Sequence, residues 1–242
     1  MIGVLVAEAA KLRRSLVLLL CAAAPAMVAL LCALMFHQKP GPDQPWPQYL
    51  LTASAIWSFF MLPMTVTALT ILVAQLEHGP KFWNHLLALP VPRASFFAAK
   101  IVVVTLLVAG MTAWLFVLTP ALGWLGDAAA PERSLTGEID LPRFAKTLVK
   151  MFAGGLLLIA LQLWAALRFR SFVPPLVLGI GGTFVAVVAT GSDYGPYFPW
   201  LIATNALASD PARAQLALGV GLIGGLAAAA AMLVDLSRRE VA

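Results

Sequence analysis

The sequence predicts an all-α protein that crosses a membrane six times, and three observations support this prediction. Of its 242 residues, 61% are hydrophobic and only 11% are charged, whereas about a quarter of the residues in soluble domains are charged. Six apolar stretches are each long enough to cross about 30 Å of hydrocarbon, which takes roughly 20 helical residues. Basic residues gather beside alternate ends of these stretches. We expect one transmembrane domain over 1–242, with spans at about 16–36, 50–75, 101–125, 147–167, 172–190 and 214–234.

The first 15 residues predict an amphipathic helix that lies along the membrane surface. Its apolar side carries Val4, Ala7 and Leu12, and its opposite side carries Glu8, Lys11 and Arg14. No convincing cleavage site follows, so we expect the first span to be retained as a signal anchor. Pro25 within that span favours a kink that faces other protein helices.

The basic residues favour a cytosolic location for both termini, because positive charge is retained inside. Ten of them would then lie inside and six outside. The inner ten are Lys11, Arg13, Arg14, Lys81, Arg93, Lys100, Arg168, Arg170, Arg238 and Arg239, and the outer six are Lys39, Arg133, Arg143, Lys146, Lys150 and Arg213. The net charge of +5 is therefore interpreted as a topology signal, and we expect no nucleic-acid partner.

Aromatic and methionine side chains concentrate in the second span, and Gln162 with Trp164 marks the fourth. One interpretation is an aromatic belt with ordinary lipid-facing bulk. The other is a soft lining for an amphiphilic substrate, or a dimer interface, since methionine-rich surfaces adapt to many shapes. The candidates for the second interpretation are Trp57, Phe60, Met61, Met64, Gln162 and Trp164.

The loop between the second and third spans predicts a two-turn amphipathic helix that begins near Pro80. Its apolar side carries Phe82, Trp83, Leu86 and Leu87. The helix must end near Leu89, because Pro90 and Pro92 cannot continue it. Such a helix either rests at the lipid headgroups or forms a rigid knob that another protein grips.

The second half of the chain contains further helix signals. Asp140 is placed to cap a helix on which Arg143, Lys146 and Lys150 recur at i, i+3 and i+7. This basic stripe either anchors to anionic headgroups or receives a peptide or lipid. Asp210 and Pro211 predict the start of the last helix. Close helix approach is expected at Gly179, Gly181, Gly182, Gly221 and Gly225.

Several functions lack the residues they require. The sequence contains no G-x-x-x-x-G-K-[ST] loop, so ATP-driven transport would need ATP and Mg²⁺ on a separate chain. We predict no catalytic residue, because no nucleophile with a base, paired acids or H-E-x-x-H lies at membrane depth. We also predict no metal site and no bound cofactor, since His37, His78 and His85 fall in expected loops.

The residue order of the 75–100 region resembles the loop between the second and third spans of ABC-2-type transporter permeases. The residues that carry this resemblance are Glu77, Trp83, Leu87, Leu89, Pro90, Val91, Arg93 and Lys100. LQLWAALRFRSFVPPLVLGIGGTF at 161–184 and DYGPYFPW at 193–200 resemble the permeases of lantibiotic immunity and bacitracin-type export.

The resemblance implies that the 76–92 loop is a coupling helix that docks into a groove of a cytosolic ATPase. The docking residues would be Glu77, Lys81, Phe82, Trp83, Leu86, Leu87, Leu89, Pro90, Pro92 and Arg93. The chain would then be a permease subunit in a bacterial cytoplasmic membrane, surrounded by lipid and paired with a second copy or a paralogue. Its cargo would be an amphiphilic antimicrobial peptide, drug or lipid-like molecule.

An alternative from another class is a membrane scaffold or immunity protein that transports nothing and sequesters a peptide at the outer surface. This protein would need no ATPase. Co-purification with a nucleotide-binding chain distinguishes the two hypotheses.

Overall fold

A computed structural model describes residues 15–38, 45–76 and 93–238, together with residues 3, 8 and 10–12. Within these residues the chain forms no β-strand, and a single isolated bridge joins Pro45 to Thr136. The expected all-α fold is therefore confirmed. The helices are α1 (Leu16–His37), α2 (Trp46–Gln75), α3 (Arg93–Ala129), α4 (Leu141–Gly154), α5 (Leu156–Arg168), α6 (Val173–Ala189), α7 (Pro199–Asn205) and α8 (Pro211–Arg238).

Four of these helices, α1, α2, α3 and α8, are long and apolar enough to cross a membrane. The pair α4 and α5 makes a fifth candidate if it is counted as one span bent by 40°. At 17 residues, α6 covers only about 26 Å at 1.5 Å per residue. The chain is thus a multi-pass membrane protein by helix length and composition, whereas a count of six spans and the orientation of the termini stay predictions.

The fourth expected span differs most from the structure. One span was expected over about 147–167, and the chain bends within it, where α4 ends at Gly154 and α5 begins at Leu156. The reason is that α4 is amphipathic, with Phe144, Leu148 and Met151 on its buried side. Only α5 has the continuous apolar composition of a span.

The helices pack into one bundle with two ends. At the loop end, α2 finishes at Gln75 and α3 begins at Arg93. At the distal end, α1 and α3 finish together, and His37 Nε2 lies 3.2 Å from Asp127 Oδ1. Between the two ends, α2 supplies fully buried side chains such as Tyr49, Trp57 and Leu69.

Two predicted helix starts are confirmed by their capping bonds. The backbone N–H of Arg143 donates to Asp140 Oδ1 over 2.9 Å, and α4 begins at Leu141. The backbone N–H of Ala212 donates to Asp210 Oδ1 over 3.0 Å, and α8 begins at Pro211. Both caps satisfy a donor that the first turn of a helix would otherwise leave unpaired.

Close helix approach is confirmed at four of the five predicted glycines. At Gly221 an added Cβ would lie 2.6 Å from the Cα of Gly154, so α8 and α4 touch through their backbones. At Gly181 an added Cβ would meet nothing within 4 Å, so the prediction for this residue is wrong. Contacts of 2.9 Å or less would arise at Gly179, Gly182, Gly221 and Gly225.

The segment between α6 and α8 turns back into the bundle. Its short helix α7 is largely buried, including Trp200 and Leu201. Thr204 Oγ1 donates to Ser58 Oγ over 3.4 Å. Ser58 lies about 18 Å along α2 from Trp46, at 1.5 Å per residue. Helix α7 therefore lies inside the bundle, well away from its distal end.

Candidate functional site

The predicted docking segment lies outside the described residues, but the two helices that carry it are described. The residues outside are Glu77, Lys81, Phe82, Trp83, Leu86, Leu87, Leu89, Pro90 and Pro92. The backbone of Arg93 begins α3, whereas its side chain also lies outside the described part. The described parts of the site are its two anchors, the end of α2 and the start of α3.

A buried ion pair fastens the N-terminal segment to the start of α3. Lys100, seven residues after Arg93, has only 1% of its surface exposed. Its Nζ donates to Glu8 Oε2 over 2.8 Å. The other carboxylate oxygen of Glu8 accepts from Lys11 Nζ over 2.5 Å. Both oxygens of this buried carboxylate are thus satisfied, as burial of a charge requires.

The ring of Phe96 completes the environment of this pair. Lys100 Nζ lies 4.6 Å from the centroid of the Phe96 ring, within the range of a cation–π contact. Phe96 packs edge-on against Phe97, with ring centroids 5.6 Å apart. The ammonium group of Lys100 therefore contacts the carboxylate of Glu8 from the N-terminal segment and the Phe96 ring from the first turn of α3.

The two lysines keep Glu8 charged. Burial acts to raise the pKa of Glu8, but the ammonium groups of Lys100 and Lys11 outweigh it and hold the pKa below its ordinary value of 4.5. The carboxylate is therefore ionised at neutral pH. Because a buried pair that loses one partner leaves an uncompensated charge, each member depends strongly on the other.

The sequence did not predict this pair. Glu8 was assigned to the polar side of a surface helix, but it is 6% exposed and faces α3. Leu12, from the predicted apolar side, is buried to the same extent. The available signal was Lys100 itself, because a lysine that begins a long apolar helix needs a partner.

Two of the predicted substrate-path residues, Gln162 and Trp164, make hydrogen bonds to neighbouring helices at the loop end, and their role in a path or interface stays a prediction. Trp164 Nε1 donates to Asp235 Oδ2 over 2.9 Å, and Arg168 donates to the same oxygen. Gln162 is fully buried, and its amide donates to the carbonyl of Pro175 over 2.7 Å. These bonds join α5 to α8 and to α6.

The remaining candidates divide between the interior and the surface of α2. Trp57 is fully buried, so in this conformation it cannot touch a substrate or a second copy. Phe60 is 48% exposed, while Met61 and Met64 are half-buried. Their role in a path or interface stays a prediction. Trp57, Phe60 and Met61 belong to a π-helical turn over Trp57–Met61. This geometry is rare and often marks functional regions.

The described residues offer no evident place for a metal. Within the described ranges, no three His, Cys, Asp or Glu side chains come close enough to hold one. The charged groups at the loop end instead form ion pairs with each other. What this arrangement can do is mechanical: it joins the N-terminal segment to α3, and α5 to α8, at the end of the bundle where α2 finishes and α3 begins.

Comparison with known proteins gives two matches. A family model described as ABC-2 family transporter protein matches residues 4–186. The bacitracin transport permease protein BCRB of Bacillus licheniformis is 26% identical over 127 residues, which cover 51% of this chain and 57% of that protein. The match thus spans little more than half of the relative's length. No solved structure matches significantly.

Proposed function

The chain belongs to the ABC-2 family of transporter proteins, and we propose that it is the permease subunit of an ATP-driven exporter. A separate cytosolic ATPase supplies the energy, and the exporter moves an amphiphilic substrate out of a bacterial cytoplasmic membrane. A second permease chain, identical or paralogous, completes the path. The family match over residues 4–186 is the observation that carries this proposal.

The ATPase acts on the segment 77–92. A displacement of this segment reaches α2 at Gln75 and α3 at Arg93, because these helices end there. The ion pair between Lys100 and Glu8 then passes the displacement to the N-terminal segment. Support for this route comes from the burial of the pair, since a buried and fully bonded contact resists separation.

Within the segment, apolar side chains dominate the binding of the ATPase. Trp83 is the central anchor, and Phe82, Leu86 and Leu87 enlarge the buried patch. Large aromatic anchors carry most of the energy of protein interfaces, whereas charged residues at the rim contribute little. Pro90 and Pro92 keep the segment rigid, and Glu77 and Arg93 pair at the rim.

The cargo is assigned by its chemistry as an amphiphilic molecule. The relative from Bacillus licheniformis is named for bacitracin transport, and bacitracin is accordingly the first cargo to test. The exposed apolar residues of α6, such as Phe184 and Val188, supply a surface that either lipid or the second permease chain covers.

The double variant Trp83→Ala, Leu86→Ala tests the docking role. The tagged full-length chain is purified from its native membranes, and co-purified chains are identified by mass spectrometry. We expect the wild-type chain to retain a subunit with a G-x-x-x-x-G-K-[ST] loop, and the double variant to lose it while still inserting. Protection of cells against bacitracin should fall in parallel.

A matched control removes similar apolar surface at the distal end. Tyr194 is 79% exposed and Leu125 is 64% exposed, so Tyr194→Ala with Leu125→Ala should leave ATPase binding unchanged. If the Trp83 and Leu86 variant retains both the ATPase and protection, the docking role is wrong. If the wild-type chain protects cells without any nucleotide-binding partner, the non-transporting alternative gains support.

A further inference from the structure

The distal end contains a cavity with an uneven distribution of charge. Its volume is about 350 Å³, and it lies between α4, the start of α2 and the residues that follow α7. One wall carries Arg143, Lys146 and Lys150 of α4. The opposite wall is apolar and includes Leu51 and Leu207. A cavity of this size is at the lower end of ligand sites in proteins.

The periodicity of α4 brings the three cations to one wall. Residues at i, i+3 and i+7 share a helix face, and the other face buries Phe144 and Leu148. The first and last cations are about 10 Å apart along the helix axis. Three like charges therefore border one small volume.

These cations have no anionic partner within the part of the chain that the structure describes. Lys150 is nevertheless half-buried, and a desolvated charge without a counter-ion is unfavourable. The nearby Asp140 is already used as the cap of α4. The cavity thus lacks negative charge, and an anionic ligand would supply it.

We propose that this cavity binds the phosphate group of an anionic lipid headgroup. Phosphate oxygens accept charge-assisted hydrogen bonds from the guanidinium group of Arg143 and from the ammonium groups of Lys146 and Lys150. The apolar wall distinguishes this site from a simple basic stripe, because it gives the acyl part of a lipid a surface to follow. Leu51, on this wall, is 60% exposed and so is accessible to an acyl chain.

The experiment measures lipid retention by the full-length chain in detergent with native mass spectrometry. The probes are phosphatidylglycerol, phosphatidylcholine and inorganic phosphate, each titrated separately. We expect the wild-type chain to retain phosphatidylglycerol in preference to phosphatidylcholine. Lys146→Gln with Lys150→Gln should weaken phosphatidylglycerol binding about tenfold, since two charge-assisted bonds to the phosphate are lost.

Two further variants separate a built site from general attraction by positive charge. Ala208→Phe fills the cavity from the apolar wall and keeps every charge, and it should weaken binding as much as the double charge variant. Arg238→Gln removes one positive charge at the loop end, in the last turn of α8, and should leave binding unchanged. Unaltered melting temperatures confirm that the variants are folded.

Equal retention of phosphatidylglycerol by all variants overturns the proposal. A fall with Lys146→Gln and Lys150→Gln but not with Ala208→Phe also overturns it, because charge alone then attracts the lipid. Displacement of phosphatidylglycerol by inorganic phosphate, with the same sensitivity to the variants, assigns the site to soluble phosphate and overturns the lipid assignment. None of these outcomes depends on the ATPase.

Discussion

Lys100 at the loop end and Lys150 at the distal end occupy opposite electrostatic situations in the same bundle. Lys100 is 1% exposed and lies 2.8 Å from the carboxylate of Glu8. Lys150 is half-buried on the wall of a cavity, and no acid within the described residues pairs with it. The comparison teaches that a buried cation with a partner serves the fold, whereas one without a partner remains available for a ligand.

The largest expected effect is that of Glu8→Gln, which removes the carboxylate that pairs with the buried Lys100. We expect a loss of about 3–5 kcal/mol in the free energy of unfolding. Thermal unfolding in detergent, followed by tryptophan fluorescence, measures the corresponding fall in melting temperature. The matched control is Lys11→Met, because Lys11 is 31% exposed and should cost less than about 1 kcal/mol.

The double variant Glu8→Gln, Lys100→Met tests whether the loss of stability comes from the charge left on Lys100. It removes both charges, so part of the lost stability should return. An unchanged melting temperature in Glu8→Gln alone would show that the pair does not stabilise the bundle, and the contrast between the two lysines would disappear.

A smaller effect is expected when the pH is lowered, because the stabilisation by Glu8 is lost in acid. The pKa of Glu8 lies below 4.5 in the folded protein, so the folded state binds its proton less readily than the unfolded state. The stabilisation is complete above pH 4.5 and is lost as the pH falls through the lower folded-state pKa. The difference in melting temperature between the wild-type chain and Glu8→Gln should stay constant near neutral pH and shrink below pH 4.5. A difference that persists at low pH would contradict an ionised Glu8.

The smallest effect is expected for Lys150→Met in the absence of added lipid. This substitution removes a half-buried charge that has no partner in the described structure and keeps the apolar stem, so stability should rise or change by less than about 1 kcal/mol. The same unfolding assay measures it. A loss as large as that of Glu8→Gln would mean that an anion already stabilises Lys150 in the isolated chain.

The sequence predicted the features that depend on local chemistry. Apolar length and low charge indicated helices, and Asp140 and Asp210 marked two helix starts because a cap acts on the next few residues only. The glycines that allow close approach were also visible, except that Gly181 turns away from neighbouring helices. Residue type and spacing are sufficient for predictions of this kind.

Features that depend on packing between distant residues could not be predicted. The partner of Lys100 lies 92 residues earlier in the chain, and helical periodicity alone assigned Glu8 to solvent. The bend after Gly154 lies where α4 contacts the backbone of Gly221 in α8, and a contact between residues so far apart in the chain leaves no local signal. For the candidate site, the sequence predicted a docking segment, which lies outside the described residues and stays a prediction. It also predicted the basic stripe on α4, but it gave no sign of the Glu8–Lys100 pair or of the cavity beside the stripe.

The inward course of the segment between α6 and α8 has a consequence for the order of biogenesis. Irregular backbone is stable at membrane depth only where protein surrounds it, and α7 is surrounded by α2, α4 and α8. We therefore expect α7 to pack only once those three helices have assembled around it. Helix α7 should then be the last helix to pack. Slow or incomplete folding of newly made chains should be sought there first.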